Sequence, residues 1–255
     1  MLSWLRHRRR DAIVETPFPD EWRVIMEEDV RAVRNLTPEY RARLQQLVQV
    51  FLVEKHFEGC AGLELTDRIR VVIATQACML LLGRDHDLYR DVETILVYPS
   101  TVRLPNHPRS VFDLSVDVVQ DDQVVLGVAH DRGPVVLAWD ATKEGAYDPT
   151  DGRNVVYHEF AHKLDMLTGD VDGTPPLPSR ADRRRWAEAL EPVFLALRQA
   201  TQDGDPTFLD GYGAVSEGEF FAVATEHFFE QPKELKARHP ELYRELAAFY
   251  KVDLS

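Results

Sequence analysis

Residues 155 to 165 read VVYHEFAHKLD, and His158, Glu159 and His162 within them form the pattern H-E-x-x-H. On a helix, residues four apart share a face one turn from each other, so both imidazoles can reach a single metal ion. Glu159 is offset around the helix. From there it can hold a water beside the metal and act as general base without being a ligand. Val155, Val156, Phe160 and Ala161 are expected to face the core and stiffen this helix. The alternative is a solvent-facing amphipathic helix that carries two histidines by coincidence.

A catalytic zinc takes three protein ligands and keeps a fourth position open, so a third ligand has to come from elsewhere. The extension x-x-G-x-x-H is excluded, because Asp165 and Thr168 occupy those positions. Asp165, one turn beyond His162, suits the acceptance of an imidazole N–H. Asp170 and Asp172 stand in GDVDGTPPLPS and read as turn residues. Downstream, DGYGAVSEGEFFAVATEHFFEQP offers Glu217, Glu219 and Glu226. Glu219 precedes Phe220, Phe221, Val223 and Ala224, and a glutamate on an inward-facing helix is costly unless paired or metal-bound. Ser216 and Glu219 also fit a capping box, and spacing alone leaves the three glutamates in competition. The histidines at 7, 56, 86, 107, 130, 227 and 239 form no second ligand set. His227 lies too far along the helix from Glu219 to share its ion.

Around the motif the period of the apolar residues changes twice. Thr37-Pro38 opens a helix whose Leu44, Leu47, Val48, Phe51 and Leu52 fall on one face. A second helix, apolar most of the way round, is expected from Thr66 to Gly83. TILVYPS, VVLGVA and GPVVLAWDA are short, rich in β-branched residues and separated by Gly, Pro and Asp, which predicts strands. Asp131-Arg132-Gly133 suggests a hairpin turn between the last two. The helical period returns at Asn154 and ends before Gly169. Loop 167–178 follows, placed where it could gate a cleft. Further helices are predicted over 179–201, 216–230 and 233–250. The fold class is therefore α+β, with a small mixed sheet between N-terminal helices and the motif helix.

The chain has 255 residues and a net charge of -13, which argues against nucleic acid as a direct ligand. Cys60 and Cys78 are too few for a disulfide framework and suit a reducing, cytoplasmic compartment. The start, MLSWLRHRRRDAIVETPFP, is basic but lacks the apolar run of a secretory signal. No apolar stretch reaches membrane-spanning length, so no stable membrane association is expected. The organisation read from this is a flexible basic arm over 1–20 and one domain over 21–255. Its helical part covers about 21–90 and its catalytic part about 91–255.

HEFAHKLD, a tyrosine seven positions before E-F-F-A, and the closing run EHFFEQPKELKARHPELYRELAAFY resemble the Mlc titration factor A family of zinc peptidases. The tyrosine and glutamate pairing is also similar to the catalytic domain of anthrax lethal factor. The resemblance runs from the first long helix to the C-terminus and is most specific over 154–169 and 212–229. It implies a zincin-like fold, with Zn2+ held by His158, His162 and Glu219. Glu159 would be the catalytic base, and Tyr212 the phenol that stabilises the oxyanion. It further implies a cytoplasmic enzyme with aminopeptidase-like activity on peptide substrates. An Mlc-like transcriptional repressor would be its partner, in control of sugar phosphotransferase uptake genes. The strand Val135–Trp139 is expected to pair with extended substrate backbone. The competing function is a non-catalytic module that sequesters a transcription factor. A closed four-ligand structural zinc site is disfavoured, because no fourth Cys or His is near.

Overall fold

A computed structural model describes residues 2–100 and 133–255. The helix at Thr37 forms as expected: Thr37 accepts the Tyr40 N–H at 3.3 Å, and Pro38 starts α3 (Pro38–Glu54). Its stripe of Leu44, Leu47, Val48, Phe51 and Leu52 is buried. That stripe packs on α4 (Asp67–Met79), which is capped by Thr66 and buried on nearly every side. α4 stops four residues short of Gly83. The chain end approaches there so closely that a Cβ on Gly83 would lie 2.3 Å from the Lys251 carbonyl oxygen.

Strands β1 (His56–Gly59), β2 (Thr94–Tyr98) and β3 (Val135–Ala138) follow one another across the sheet. Both described pairings are parallel, with Phe57 opposite Ile95 and Val97 opposite Leu137. Among the described residues the sheet is thus parallel rather than mixed, and α4 serves as the crossover between β1 and β2. The VVLGVA strand and the Asp131-Arg132 turn lie outside the described residues. The third expected strand is shorter than read: a helix, α5 (Trp139–Tyr147), begins straight after Ala138. Its buried residues, Ala141, Thr142, Gly145 and Ala146, recur at helical spacing, a period hidden by the apolar run in front of it.

The motif helix, α6 (Val155–Asp165), starts at Asn154, whose Oδ1 accepts the Val156 and Tyr157 N–H groups at 3.1 Å each. Val155, Val156, Phe160 and Ala161 are buried, as expected, and so is Leu164. It is followed by α7 (Arg180–Asp203) and α8 (Glu217–Glu230), and α8 lies against α6. The expected last helix is two. α9 (Pro232–Arg238) ends at His239, because Pro240 has no N–H to continue it, and α10 (Pro240–Tyr250) begins there. Among the described residues nearly all buried apolar side chains belong to one cluster, from Phe18 to Val252.

The basic N-terminus departs from the reading as a flexible arm. It forms α1 (Leu2–Val14), followed by α2 (Asp20–Asp29). Arg10 is buried and donates to both oxygens of Glu54, at 2.8 and 3.0 Å, and to Asp87 at 2.9 Å. These partners are far along the chain, so their convergence on Arg10 is a product of the tertiary fold.

Candidate metal centre

The packing of α8 on α6 brings three side chains to one point. His158 Nε2 lies 2.9 Å and His162 Nε2 3.3 Å from Glu219 Oε2, and the two nitrogens are 3.2 Å apart. The imidazole planes are nearly perpendicular, with centroids 4.8 Å apart, as expected of two ligands leaning inward from successive turns. A tetrahedral ion with ligand bonds near 2.0–2.1 Å spaces its ligands by about 3.3 Å. Two of the observed edges match that triangle, and the third, between His158 and Glu219, is shorter at 2.9 Å. The donor set of two imidazoles and one carboxylate also suits a borderline cation such as zinc. The residues therefore fit a metal.

His158 and Glu219 are both electrostatically displaced. Burial opposes charge on His158, but hydrogen bonds to Glu219 and Glu226 prevail and raise its pKa to about 10. Burial likewise opposes the Glu219 carboxylate, and the two histidines overcome it, lowering its pKa to about 2. The metal-free site thus holds a histidinium–carboxylate pair. Glu159, half-buried at the edge of the site, is pushed up by burial against the pull of His158, His162 and Lys163. Its carboxylate has no hydrogen-bond partner among the described residues.

Ser216 does cap α8, accepting the Glu219 N–H at 3.2 Å. The reciprocal half of the capping box is not made, because the Glu219 carboxylate is turned to the histidines. Glu217 is exposed and takes no part. Glu226, two turns beyond Glu219, reaches the other nitrogen of His158: Oε1 is 2.8 Å from Nδ1. Asp165 does not accept an imidazole N–H. Its Oδ2 takes the Gly173 N–H at 2.8 Å, and burial raises its pKa to about 6. Asp172 is a turn residue, accepting the Thr174 N–H at 3.0 Å.

Tyr212 sits in a 3-10 turn, Gly211–Ala214, with its ring centroid 5.9 Å from that of His158. Asp210 caps that turn through the Tyr212 N–H at 2.9 Å. His227, which sequence spacing had set apart from the ion, secures the same segment: its Nε2 is 3.0 Å from the Phe208 carbonyl. Gly152, at φ +76°, passes so close to that ring that a Cβ would clash with it at 2.6 Å. Sequence reasoning missed the roles of Asp210, His227 and Asn154. The seven-residue interval from Glu219 to Glu226 was a usable sign of a shared helix face.

The family model for the glucose-regulated metallo-peptidase M90 family matches residues 3–251. The chain belongs to this family. Among its relatives, the uncharacterized protein slr2042 of Synechocystis sp. is 37% identical over 249 residues, which are 97% of this chain and 89% of the relative. Mlc titration factor A of Serratia proteamaculans is 31% identical over 234 residues, covering 89% and 86%. The protein of that name in Salmonella typhi is 30% identical over 225 residues, covering 87% and 82%. The M90 match spans both helices of the centre. Among the described residues no helix is long and apolar enough to cross a membrane.

Proposed function

We propose that this chain is a zinc-dependent, aminopeptidase-like metallopeptidase of zincin-like fold that works in the cytoplasm on short peptides. The observation that carries the reading is the convergence of His158, His162 and Glu219 at ligand spacing in a chain of the M90 family. Bound by these three, zinc would supply Lewis acidity toward the scissile carbonyl and the attacking water. Glu159 takes a proton from that water as its oxygen attacks the carbonyl carbon. It then passes the proton to the amine as the C–N bond breaks. A carboxylate held up in pKa by burial suits both halves of that exchange. The Tyr212 hydroxyl donates to the carbonyl oxygen as that oxygen gains negative charge. We assign β3 to pairing with the extended substrate; among the described residues its only strand partner is β2. A proline at Val136 that left peptide turnover unchanged would count against that pairing.

A second reading, capture of an Mlc-like transcriptional repressor and so control of sugar-uptake genes, is favoured by the name of the Serratia and Salmonella relatives. The two readings separate at Glu159, which catalysis needs and capture does not. Metal content and peptide turnover are compared in wild type and Glu159→Gln. Metal in both, with turnover reduced about a hundredfold or more in the variant, is expected. Metal in both but turnover in neither favours capture, and no metal in either sinks the proposal.

A further inference from the structure

His158 is held at both ends of its ring. Nε2 faces Glu219 and Nδ1 faces Glu226, at 2.9 and 2.8 Å, and the His158 and Glu226 side chains are both almost wholly buried. Glu226 has two donors to serve. Its Oε1 meets His158, and its Oε2 accepts the backbone N–H of Asn154, the residue that caps the motif helix. Asn154 is itself fixed, since its Nδ2 donates to Gln76 Oε1 at 2.9 Å and to Glu230 Oε1 at 3.1 Å. Gln76 lies inside α4 and donates to the Thr142 carbonyl at 3.3 Å. A continuous set of buried hydrogen bonds therefore runs from the central helix through Asn154 and Glu226 to His158.

We infer that Glu226 is the positioning residue of the metal centre: it holds the proton of His158 on Nδ1 and so presents Nε2 as the ligand atom. This rests on the metal-centre reading above. A carboxylate is an acceptor only, so the nitrogen facing it must carry hydrogen, and the nitrogen facing the ion is then the one with a free lone pair. The bond also fixes the plane of the ring. A glutamine cannot replace Glu226, although its shape is nearly the same. Its single oxygen can serve His158 or Asn154, and its NH2 must then face the other. Turned to His158, the NH2 demands a bare Nδ1 and moves the ring proton to Nε2, where it blocks the ligand position. Turned to Asn154, it sets two donors against each other.

The test is zinc affinity by competition with a chromophoric chelator, on the full chain, for wild type, Glu226→Gln and Glu226→Asp. Wild type is expected to bind one ion and Glu226→Gln to bind about 10- to 100-fold more weakly. Glu226→Asp, which keeps the charge but withdraws it by one methylene, should fall between. Folding is checked by near-ultraviolet circular dichroism. A measurement on wild type alone avoids variants that fail to fold. With 15N-labelled histidine and zinc bound, His158 should show a slowly exchanging proton on Nδ1 and metal on Nε2. Folded Glu226→Gln with affinity within threefold of wild type, or zinc on Nδ1 of His158, overturns the inference. Wild type that binds no zinc overturns the metal-centre reading as well.

Discussion

Arg153 Nη2 and Asp210 Oδ2 are 2.8 Å apart. The first residue immediately precedes the cap of the motif helix, and the second caps the turn that carries Tyr212. Two segments far apart in sequence are thereby held in register, with the tyrosine ring beside His158. The ion pair is partly solvated and contributes little stability, under about 1 kcal/mol. Its contribution is to geometry.

If that is so, Asp210→Ala should act on turnover and leave metal binding alone. It removes both the ion pair and the cap of the Tyr212 turn, and we expect kcat to fall about tenfold through imprecise placement of the phenol. Tyr212→Phe sets the limit, with kcat down about 100-fold and KM little changed. Steady-state kinetics on one peptide, with zinc content measured for each variant, checks both. An unchanged kcat in Tyr212→Phe would remove the tyrosine from the mechanism.

Metal binding should release a proton. His158, with a pKa raised to about 10, is protonated in the metal-free protein at neutral pH. A cation on Nε2 has to displace that proton. Between pH 6.5 and 8 the apparent affinity for zinc should rise about tenfold per pH unit. Titration calorimetry in two buffers of different ionisation enthalpy should report about one proton released per ion. A buffer-independent heat would show that His158 enters the reaction neutral.

Glu230 should make the metal-free protein less stable as pH rises. Burial raises its pKa to about 9, although Asn154 and the Arg153 N–H donate to it. Above the ordinary carboxylate range the unfolded chain gives up this proton while the folded chain keeps it. Stability is therefore fully present below about pH 4.5 and is lost as pH climbs toward 9, at up to about 1.4 kcal/mol per unit. His158 adds a loss of the same sign from about pH 6.5 upward, since its folded pKa is also raised. Urea midpoints at pH 5 and pH 8, with chelator present, should differ less in Glu230→Gln than in wild type. Equal differences would show that Glu230 is ionised in the fold.

Arg10→Ala should release α1. The substitution strands Glu54 at a largely buried position and removes the contacts to Asp85 and Asp87. We expect a loss of about 2 kcal/mol and early proteolytic cleavage within residues 1–14. Resistance to cleavage equal to wild type would mean that apolar contacts alone hold the helix.

The local chemistry of the centre could be read from the chain because it depends on short intervals. Two histidines four apart on a helix must share a face, and Thr37, Thr66 and Ser216 announce the starts of their helices by the atoms they carry. The parallel character of the described sheet, the break at Pro240 and the helix after Ala138 were less visible. Parallel pairing depends on crossovers, and a four-residue buried strand shows no period of its own.

What only the tertiary structure decided is which carboxylate meets which ring. Glu217, Glu219 and Glu226 share one helix and one residue type, and no interval between them states which faces the motif helix at what depth. The angle and offset at which α8 packs on α6 set Glu219 against the Nε2 atoms of His158 and His162 and Glu226 against Nδ1 of His158. The same holds for Arg10, whose partners are gathered from distant segments. An α-helix fixes neighbours within a turn or two by its own geometry. Contacts between helices are set by how their whole apolar faces interlock, a property spread over the core from Phe18 to Val252.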